Sequence, residues 1–411
     1  MKINKHCFSN GLRLVHNEDT STQMVALNIV YDVGARDEHP EHTGFAHLFE
    51  HLMFGGSAHI PDYDAPLQLA GGENNAWTNN DVTNYYLTVP KPNVETAFWL
   101  ESDRMLELAF SEQSLEVQRG VVMEEFKQRC LNQPYGDVGH LLRPLAFRVH
   151  PYRWPTIGKE LAHIEHATLD EVKSFFYRFY APNNAVLAVT GNITWDETLR
   201  LTEKWFAPIP RRDVPVRCLP QEPPQTRERR LTVERNVPLD ALFMAYRMCS
   251  RADAGYYAFD ILSDILSNGR SSRLNRRLVQ ERKVFSGIDA YISGSRDAGL
   301  LQISGKPAAG VSLERAEAAV REELEALQRC PVGEQELEKV KNKFESTQIF
   351  GNINYLNVAT NLAWFELTGE AEDIDREVER YRAVTPEQLH AVAQGAFREE
   401  SAIVLYYKSK K

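Results

Sequence analysis

The sequence predicts an α+β fold of two homologous domains in tandem, each combining a sheet with packed helices. Two observations lead to this prediction. Strand-like and helix-like segments are segregated rather than alternating, and a similar helix–strand pair closes each half of the 411-residue chain. The length also exceeds what one hydrophobic core usually holds.

The repeat is clearest where a threonine opens a helix that is followed by an apolar strand. Thr168 precedes the first such helix, and a strand is predicted over 185–189. Thr385 precedes the second, and a strand is predicted over 402–406. Threonine is a favourable N-cap, since its hydroxyl accepts from a free backbone N–H. Both pairs are 217 residues apart, which indicates an internal duplication.

The predicted domain boundary is a proline-rich stretch near the middle of the chain. Proline blocks helix interiors and central strands, so this stretch predicts a semi-rigid linker. We therefore divide the chain into domain 1–209, linker 210–229 and domain 230–411. The prolines in and beside this linker are Pro208, Pro210, Pro215, Pro220, Pro223 and Pro224.

In the first half, periodicity and turn residues predict the elements in order. Strands are expected over 12–16 and 25–31, and a short helix over 44–54 between glycines. A hairpin follows, with strands over 74–78 and 82–89 and a turn at the polar run 79–81. Helices are expected over 94–108 and 114–128.

Composition and charge exclude several classes of function. A formal net charge of −10 disfavours nucleic acid as a partner, and no glycine-rich nucleotide-binding spacing is present. No segment reaches the roughly 18–20 apolar residues of a membrane span. Residues 1–5 lead into no apolar signal region, so we expect a cytoplasmic protein, or a periplasmic one if a leader was removed. Five scattered cysteines indicate reduced thiols rather than a disulfide framework.

The most informative motif is H-x-x-E-H at His47, Glu50 and His51. Residues four apart on a helix lie on one face, so both imidazoles can reach one ion. Glu50 can approach a water at that ion without occupying a coordination position. The alternative is a helix with two ordinary histidines, but the intervening glutamate matches a known metallopeptidase pattern.

A catalytic zinc usually takes three protein ligands, and the helix over 114–128 offers two neighbouring candidates. Glu124 falls in a polar arc and is expected to be a solvated surface acid. Glu125 falls between Val121 and Val122, on the side predicted to face the interior. A buried carboxylate needs a partner, and a metal ion is a strong one. We therefore predict Glu125 as the third ligand.

Three motifs in order resemble the pitrilysin and mitochondrial processing peptidase family of inverted zinc metallopeptidases. They are the segment 44–54 with its H-x-x-E-H, a G-G-x-x-N-A-x-T segment at 71–78, and a V-V-x-E-E run ending at Glu125. The resemblance covers most of the chain. It implies two α+β domains that enclose a chamber on dimerisation, with one Zn²⁺ per chain on the first domain.

The resemblance also implies that one strand binds the extended backbone of a peptide substrate by edge-strand addition. The alternative is an ordinary buried hairpin, although the asparagine and glycine content is unusual for one. The four residues of this predicted substrate-binding strand are Asn75, Ala76, Trp77 and Thr78.

Two positions depart from the family pattern. Gln118 stands seven residues before Glu125, where relatives usually carry glutamate; it could hydrogen-bond beside the metal or simply be a packing residue. The family's substrate-clamping Arg and Tyr would fall at Val279 and Ser286. We therefore expect a homodimer, or a heterodimer with a related chain that supplies the clamp.

A small misalignment would give a different interpretation, because Arg277 and Tyr291 lie close to the clamp positions. The second domain is expected to be non-catalytic. If Gly269 corresponds to Gly55, Ile261 and Ile265 stand opposite the two metal histidines.

These observations together predict a zinc metalloendopeptidase that hydrolyses peptides or unfolded polypeptides, with Glu50 as its catalytic base. The alternative is a non-catalytic peptide-binding or assembly subunit of a heterodimeric peptidase. Such subunits typically lack one or more of the zinc residues, and all four are present here.

Overall fold

The structure, a computed structural model, describes residues 1–410. Within them lie eleven strands: β1 (Asn4–Cys7), β2 (Arg13–Glu18), β3 (Met24–Tyr31), β4 (Glu73–Thr78), β5 (Thr83–Pro90), β6 (Ala185–Gly191), β7 (Arg229–Arg235), β8 (Ala241–Arg247), β9 (Phe285–Ile292), β10 (Leu300–Pro307) and β11 (Ile403–Ser409).

The same residues form fourteen α-helices: α1 (Phe45–Leu52), α2 (Asp64–Leu69), α3 (Val94–Leu106), α4 (Glu112–Phe126), α5 (Val138–Ala146), α6 (Leu161–Glu165), α7 (Leu169–Phe179), α8 (Trp195–Trp205), α9 (Tyr256–Ser267), α10 (Leu313–Arg329), α11 (Glu334–Gly351), α12 (Tyr355–Thr368), α13 (Asp373–Arg382) and α14 (Pro386–Ala396). No helix among residues 1–410 is long and apolar enough to span a bilayer.

The chain folds into two compact units, each assembled from three stretches of sequence. The first comprises Met1–Gln128, Trp154–Leu219 and Ile349–Arg376. The second comprises Arg129–Arg153, Pro220–Gln348 and the segment that begins at Glu377. The α+β prediction is confirmed, and one unit boundary falls between residues 219 and 220, inside the predicted linker. The halves also exchange segments, which was not predicted. Arg129–Arg153, from the first half of the sequence, belongs to the second unit, and Ile349–Arg376, from the second half, belongs to the first.

The two sheets have the same topology, apart from one extra edge strand. The first unit has the order β1-β2-β6-β3-β5-β4, and the second has β7-β11-β8-β10-β9. In each, one parallel pair (β2 with β6, β7 with β11) is followed by antiparallel neighbours. This correspondence agrees with the duplication inferred from the 217-residue offset.

The equivalent helices α7 and α14 begin in the same way. Thr168 accepts from the backbone N–H of Glu171, and Thr385 accepts from that of Gln388. The Glu171 and Gln388 side chains bond back to the N-cap backbone and complete a capping box at each helix. The sequence pattern therefore specified both helix starts.

Each sheet is covered on both faces. In the first unit the main core lies between the sheet and α1, α3, α7 and α8, while α12 covers the opposite face, where Val15, Val30 and Val186 pack. In the second unit α9, α10 and α14 cover one face, and α5 covers the other. The exchanged segments thus supply α12 and α5, the helix on the second face of each sheet.

Candidate functional site

The helix that carries the H-x-x-E-H motif is fixed at its N-terminus by glycine and a buried carboxylate. Gly44 has φ +90°, and a Cβ there would lie 2.7 Å from the Ile164 side chain, so only glycine fits. The Glu38 carboxylate accepts from the backbone N–H groups of Gly44 and Ala46, both at 2.9 Å. Two of the free N–H groups at the start of α1 are thereby satisfied.

Glu38 is a positioning residue that the sequence analysis missed. Burial raises the pKa of its carboxyl well above the usual range, and the two N–H donors oppose that rise. An acid a few residues before a glycine-capped helix was the available signal, since negative charge stabilises a helix N-terminus.

α4 packs beside α1 and brings Glu125 to the two histidines. The Glu125 Oε2 atom lies 3.5 Å from His47 Nε2 and 3.3 Å from His51 Nε2. The imidazole rings are nearly perpendicular, with centroids 5.0 Å apart. The three side chains are 9%, 25% and 18% exposed for His47, His51 and Glu125. The structure thus brings together the three residues predicted as ligands.

These separations suit a tetrahedral zinc ion. With zinc–ligand bonds of about 2.0–2.1 Å, two ligand atoms on a tetrahedron lie about 3.3–3.4 Å apart. The His47–Glu125 and His51–Glu125 distances are within about 0.2 Å of that value. Two imidazole nitrogens and one carboxylate oxygen are also a known catalytic zinc set. The arrangement can therefore hold zinc and leave a position for water.

The adjacent acids of α4 lie in different environments. The Glu124 side chain is 63% exposed and forms a surface ion pair with Lys127 at 2.5 Å. Val122 is fully buried, but Val121 is 46% exposed. The expectation that Val121 faces the interior was therefore wrong: the buried stripe of α4 runs through Leu115, Val122 and Phe126, and Val121 lies at its solvent side.

Glu50 lies on α1 beside His51, near two buried tyrosines. Burial raises the pKa of the Tyr180 phenol, and the negative charge of Glu50 adds to that rise. Tyr85 donates to the Phe49 carbonyl at 3.2 Å and thereby ties α1 to β5. The sheet thus supports the turn of α1 that carries Glu50.

The predicted substrate-binding residues lie on β4, an edge strand of the first sheet that packs near α1. β4 pairs with β5 on one side, with Ala76 opposite Tyr85. The Ala76 N–H donates to the side chain of Asn75 at 2.8 Å. Because that N–H serves a side chain instead of β5, we infer that it points to the open edge.

Two other members of this strand have partly buried side chains. Trp77 packs against the apolar cluster beneath α12, and Thr78 is also partly buried. Each of them can fix the position of β4, whether or not substrate binds along it.

Gln118 lies on α4 two turns before Glu125, with its side chain beside Gly55. The hydrogen bonds found among residues 1–410 do not join it to His47, His51 or Glu125. A role beside the metal stays a prediction for this residue.

The two predicted clamp positions, Val279 and Ser286, lie in the second unit and carry uncharged side chains. Val279 packs against the apolar core, and the Ser286 hydroxyl donates to the Lys306 carbonyl at 3.1 Å. Arg277 forms an ion pair with Glu323 at 2.9 Å, and Tyr291 is 49% exposed on β9. Contact of a substrate with the clamp positions, or with Arg277 and Tyr291 instead, stays a prediction.

The helix in the second unit that corresponds to the metal helix is α9. Ile261 and Ile265 lie on it, and both are buried in its core. Two apolar side chains there supply no metal-binding atoms.

Two family models match the chain. The model described as "Insulinase (Peptidase family M16)" matches residues 13–158. The model described as "Peptidase M16 inactive domain" matches residues 166–344. The H-x-x-E-H segment and Glu125 lie in the region matched by the first model, whereas α9 lies in that of the second.

Similar proteins are named zinc proteases. The zinc protease PqqE of Helicobacter pylori is 25% identical over 405 residues, which cover 97% of this chain and 91% of that protein. The uncharacterized zinc protease YmxG of Bacillus subtilis is 24% identical over 98% of both chains. The crystal structure of a protease from Helicobacter pylori superposes with a TM-score of 0.92 over 99% of both chains, at 25% identity.

Proposed function

The chain belongs to the M16 family of peptidases, and we propose that it is a zinc metalloendopeptidase acting on peptides or unfolded polypeptides. One observation carries the proposal: the Glu125 carboxylate lies 3.5 and 3.3 Å from the two histidine nitrogens of the H-x-x-E-H helix. The names of the relatives support the same metal and reaction class.

In this proposal His47, His51 and Glu125 hold one zinc ion per chain. When bound, zinc polarises the scissile carbonyl and lowers the pKa of water from about 15.7 toward about 7. Glu50 accepts a proton from the attacking water at its carboxylate and passes it to the leaving amine, as a positioned carboxylate can. The open edge of β4 binds the substrate backbone as an added strand.

The test is Glu50→Gln, which keeps the side-chain size but removes the base. We expect one zinc per chain to be retained and the rate of cleavage of an internally quenched peptide library to fall about 10²–10⁴-fold. Glu124→Gln, on the exposed face of α4, is the matched control and should keep full activity. Full activity of Glu50→Gln would contradict the assigned role.

We further propose that the active form is a dimer, since this chain lacks an Arg and Tyr at the family clamp positions. A related chain would supply the missing Arg and Tyr, whereas in a homodimer, whose second copy carries the same Val279 and Ser286, other groups would hold the substrate. A purified chain that binds no zinc and cleaves no peptide would instead favour a non-catalytic binding subunit.

A further inference from the structure

A second group of metal-binding side chains lies on the loop that precedes α1. His39, Glu41 and His42 each offer one ligand atom, and these atoms lie within 4.8 Å of one another. Among residues 1–410 this group and the His47–His51–Glu125 site are the two clusters with that property. All three of its side chains are exposed.

The backbone of this loop holds the two histidines close together. The His42 N–H donates to the His39 carbonyl at 2.8 Å, which closes a turn over Pro40. The two imidazole centroids lie 5.8 Å apart. A proline within the turn limits its conformational freedom, so less entropy is lost when an ion fixes both rings.

A second carboxylate, that of Glu171, supports His42 from the neighbouring helix α7. His42 Nδ1 lies 3.2 Å from Glu171 Oε1. The other oxygen of Glu171 accepts from the N–H and hydroxyl of Thr168 at 2.9 and 2.7 Å, which fixes the carboxylate. A histidine that gives one ring N–H to a carboxylate presents its other nitrogen to a metal, as metal-ligating histidines usually do.

We propose that His39, Glu41 and His42 form a second, surface site for a divalent transition-metal ion of the zinc class, with Glu171 orienting His42. Two imidazoles and a carboxylate suit zinc, cobalt or nickel better than the harder calcium or magnesium. The ligand atoms lie within 4.8 Å of one another and need to move closer by up to about 1.5 Å to reach tetrahedral separations. Exposed side chains can do so by changing rotamer.

An ion at this site would fix the loop, and the contact between His42 and Glu171 would connect that loop to α7. Both elements pack against α1: the Phe45 ring of α1 contacts His42 on one side and Phe175 of α7 on the other. An ion bound here would therefore stabilise the loop and α7, which pack against the helix that carries the H-x-x-E-H motif. This inference does not depend on the chain being a peptidase.

The experiment separates the two sites by using the His51→Ala chain, in which the first site lacks a ligand. That variant is titrated with Co²⁺ or Zn²⁺, and bound metal and melting temperature are measured. We expect about one equivalent to bind and to raise the melting temperature, because binding to the folded state alone is stabilising. Adding His39→Ala and His42→Ala should abolish both effects.

The matched control adds His6→Ala and His166→Ala, which remove two exposed histidines outside the cluster. This control should bind metal like His51→Ala itself. If His51→Ala binds no metal, or if the loss of His39 and His42 leaves binding unchanged, the second site is refuted. Neither outcome bears on whether Glu50 catalyses hydrolysis in the wild-type chain.

Discussion

Glu124 and Glu125 are chemically identical neighbours on one helix, and their surroundings give them different roles. A rotation of about 100° per residue places one at the solvent and the other beside two imidazoles. Glu124 forms an exposed ion pair, and exposed ion pairs contribute about 0–1 kcal/mol to the free energy of unfolding. Glu125 lies 3.3 and 3.5 Å from histidine nitrogens, where its charge can neutralise a cation.

Glu125→Gln should therefore remove zinc, while Glu124→Gln should not. An amide keeps the shape of Glu125 but loses the negative charge and one acceptor oxygen. We expect zinc affinity to fall on the order of 100-fold or more. Even the loss of a residue that only hydrogen-bonds to a zinc ligand lowers metal affinity or activity about 10–100-fold. Competition with a chromophoric chelator measures it. Equal affinities for the two variants would contradict the assignment of Glu125.

At the scale of elements, the open edge of β4 gives the proposed peptide binding a specific test. Ala76→Pro removes the N–H that points away from β5, and proline is tolerated on an edge strand at such a position. One lost hydrogen bond costs about 0.5–1.5 kcal/mol, so we expect kcat/KM to fall up to about tenfold, mainly through KM. Zinc content and melting temperature should not change. A folded variant with an unaltered KM would argue against strand addition at Ala76.

One carboxylate of α10 adds hydrogen bonds to the sheet beside the apolar packing of that helix. Glu317 accepts from Arg230 at 2.8 Å, from Tyr406 at 2.5 Å and from Arg321 at 2.8 Å. Desolvation acts to raise the pKa of Glu317, but these hydrogen bonds outweigh it and lower the pKa from 4.5 to about 2. The ionised form is therefore the one that the fold stabilises.

A folded-state pKa below the unfolded value means that stability is present above pH 4.5 and is lost as pH falls toward about 2. Glu317→Gln should lower the melting temperature near neutral pH, and the difference from wild type should shrink as pH falls through this window. Thermal melts across pH 3–7 measure it. Glu325→Gln, on the same helix but half exposed, is the control and should change little. A pH-independent difference for Glu317→Gln would contradict the role of its charge.

At the scale of the whole molecule, the missing clamp predicts the oligomeric state. Val279 and Ser286 offer no guanidinium or phenol, so a second chain should complete the substrate site. We expect light scattering of the purified protein to give twice the mass of one chain, or affinity purification from its source to recover a related chain. A monomer with full peptidase activity would show that no second chain is needed.

Much of the first unit could be predicted from sequence because its signals are local. The predicted helix over 44–54 corresponds to Phe45–Leu52 and the predicted hairpin to β4 and β5, with boundaries off by no more than two residues. Glycine bounds, polar turns and capping boxes act over a few residues. The exposure of Val121 was predicted wrongly, because periodicity gives the relative angles of residues on a helix but not which neighbours cover each face.

The sequence by itself determined the α+β class, the duplication and the spacing of His47, Glu50 and His51, since these depend on local propensity and on repetition along the chain. Only the tertiary structure decided that α12 and α5 exchange between the halves, that Glu38 caps the motif helix and that Glu125 reaches both imidazoles. Each of these depends on contacts between residues that are distant in sequence or on side-chain orientation, which packing sets and local pattern does not encode. His51 and Glu125 are 74 positions apart in the sequence; the packing of α1 against α4 brings them together, and that packing forms the candidate metal site.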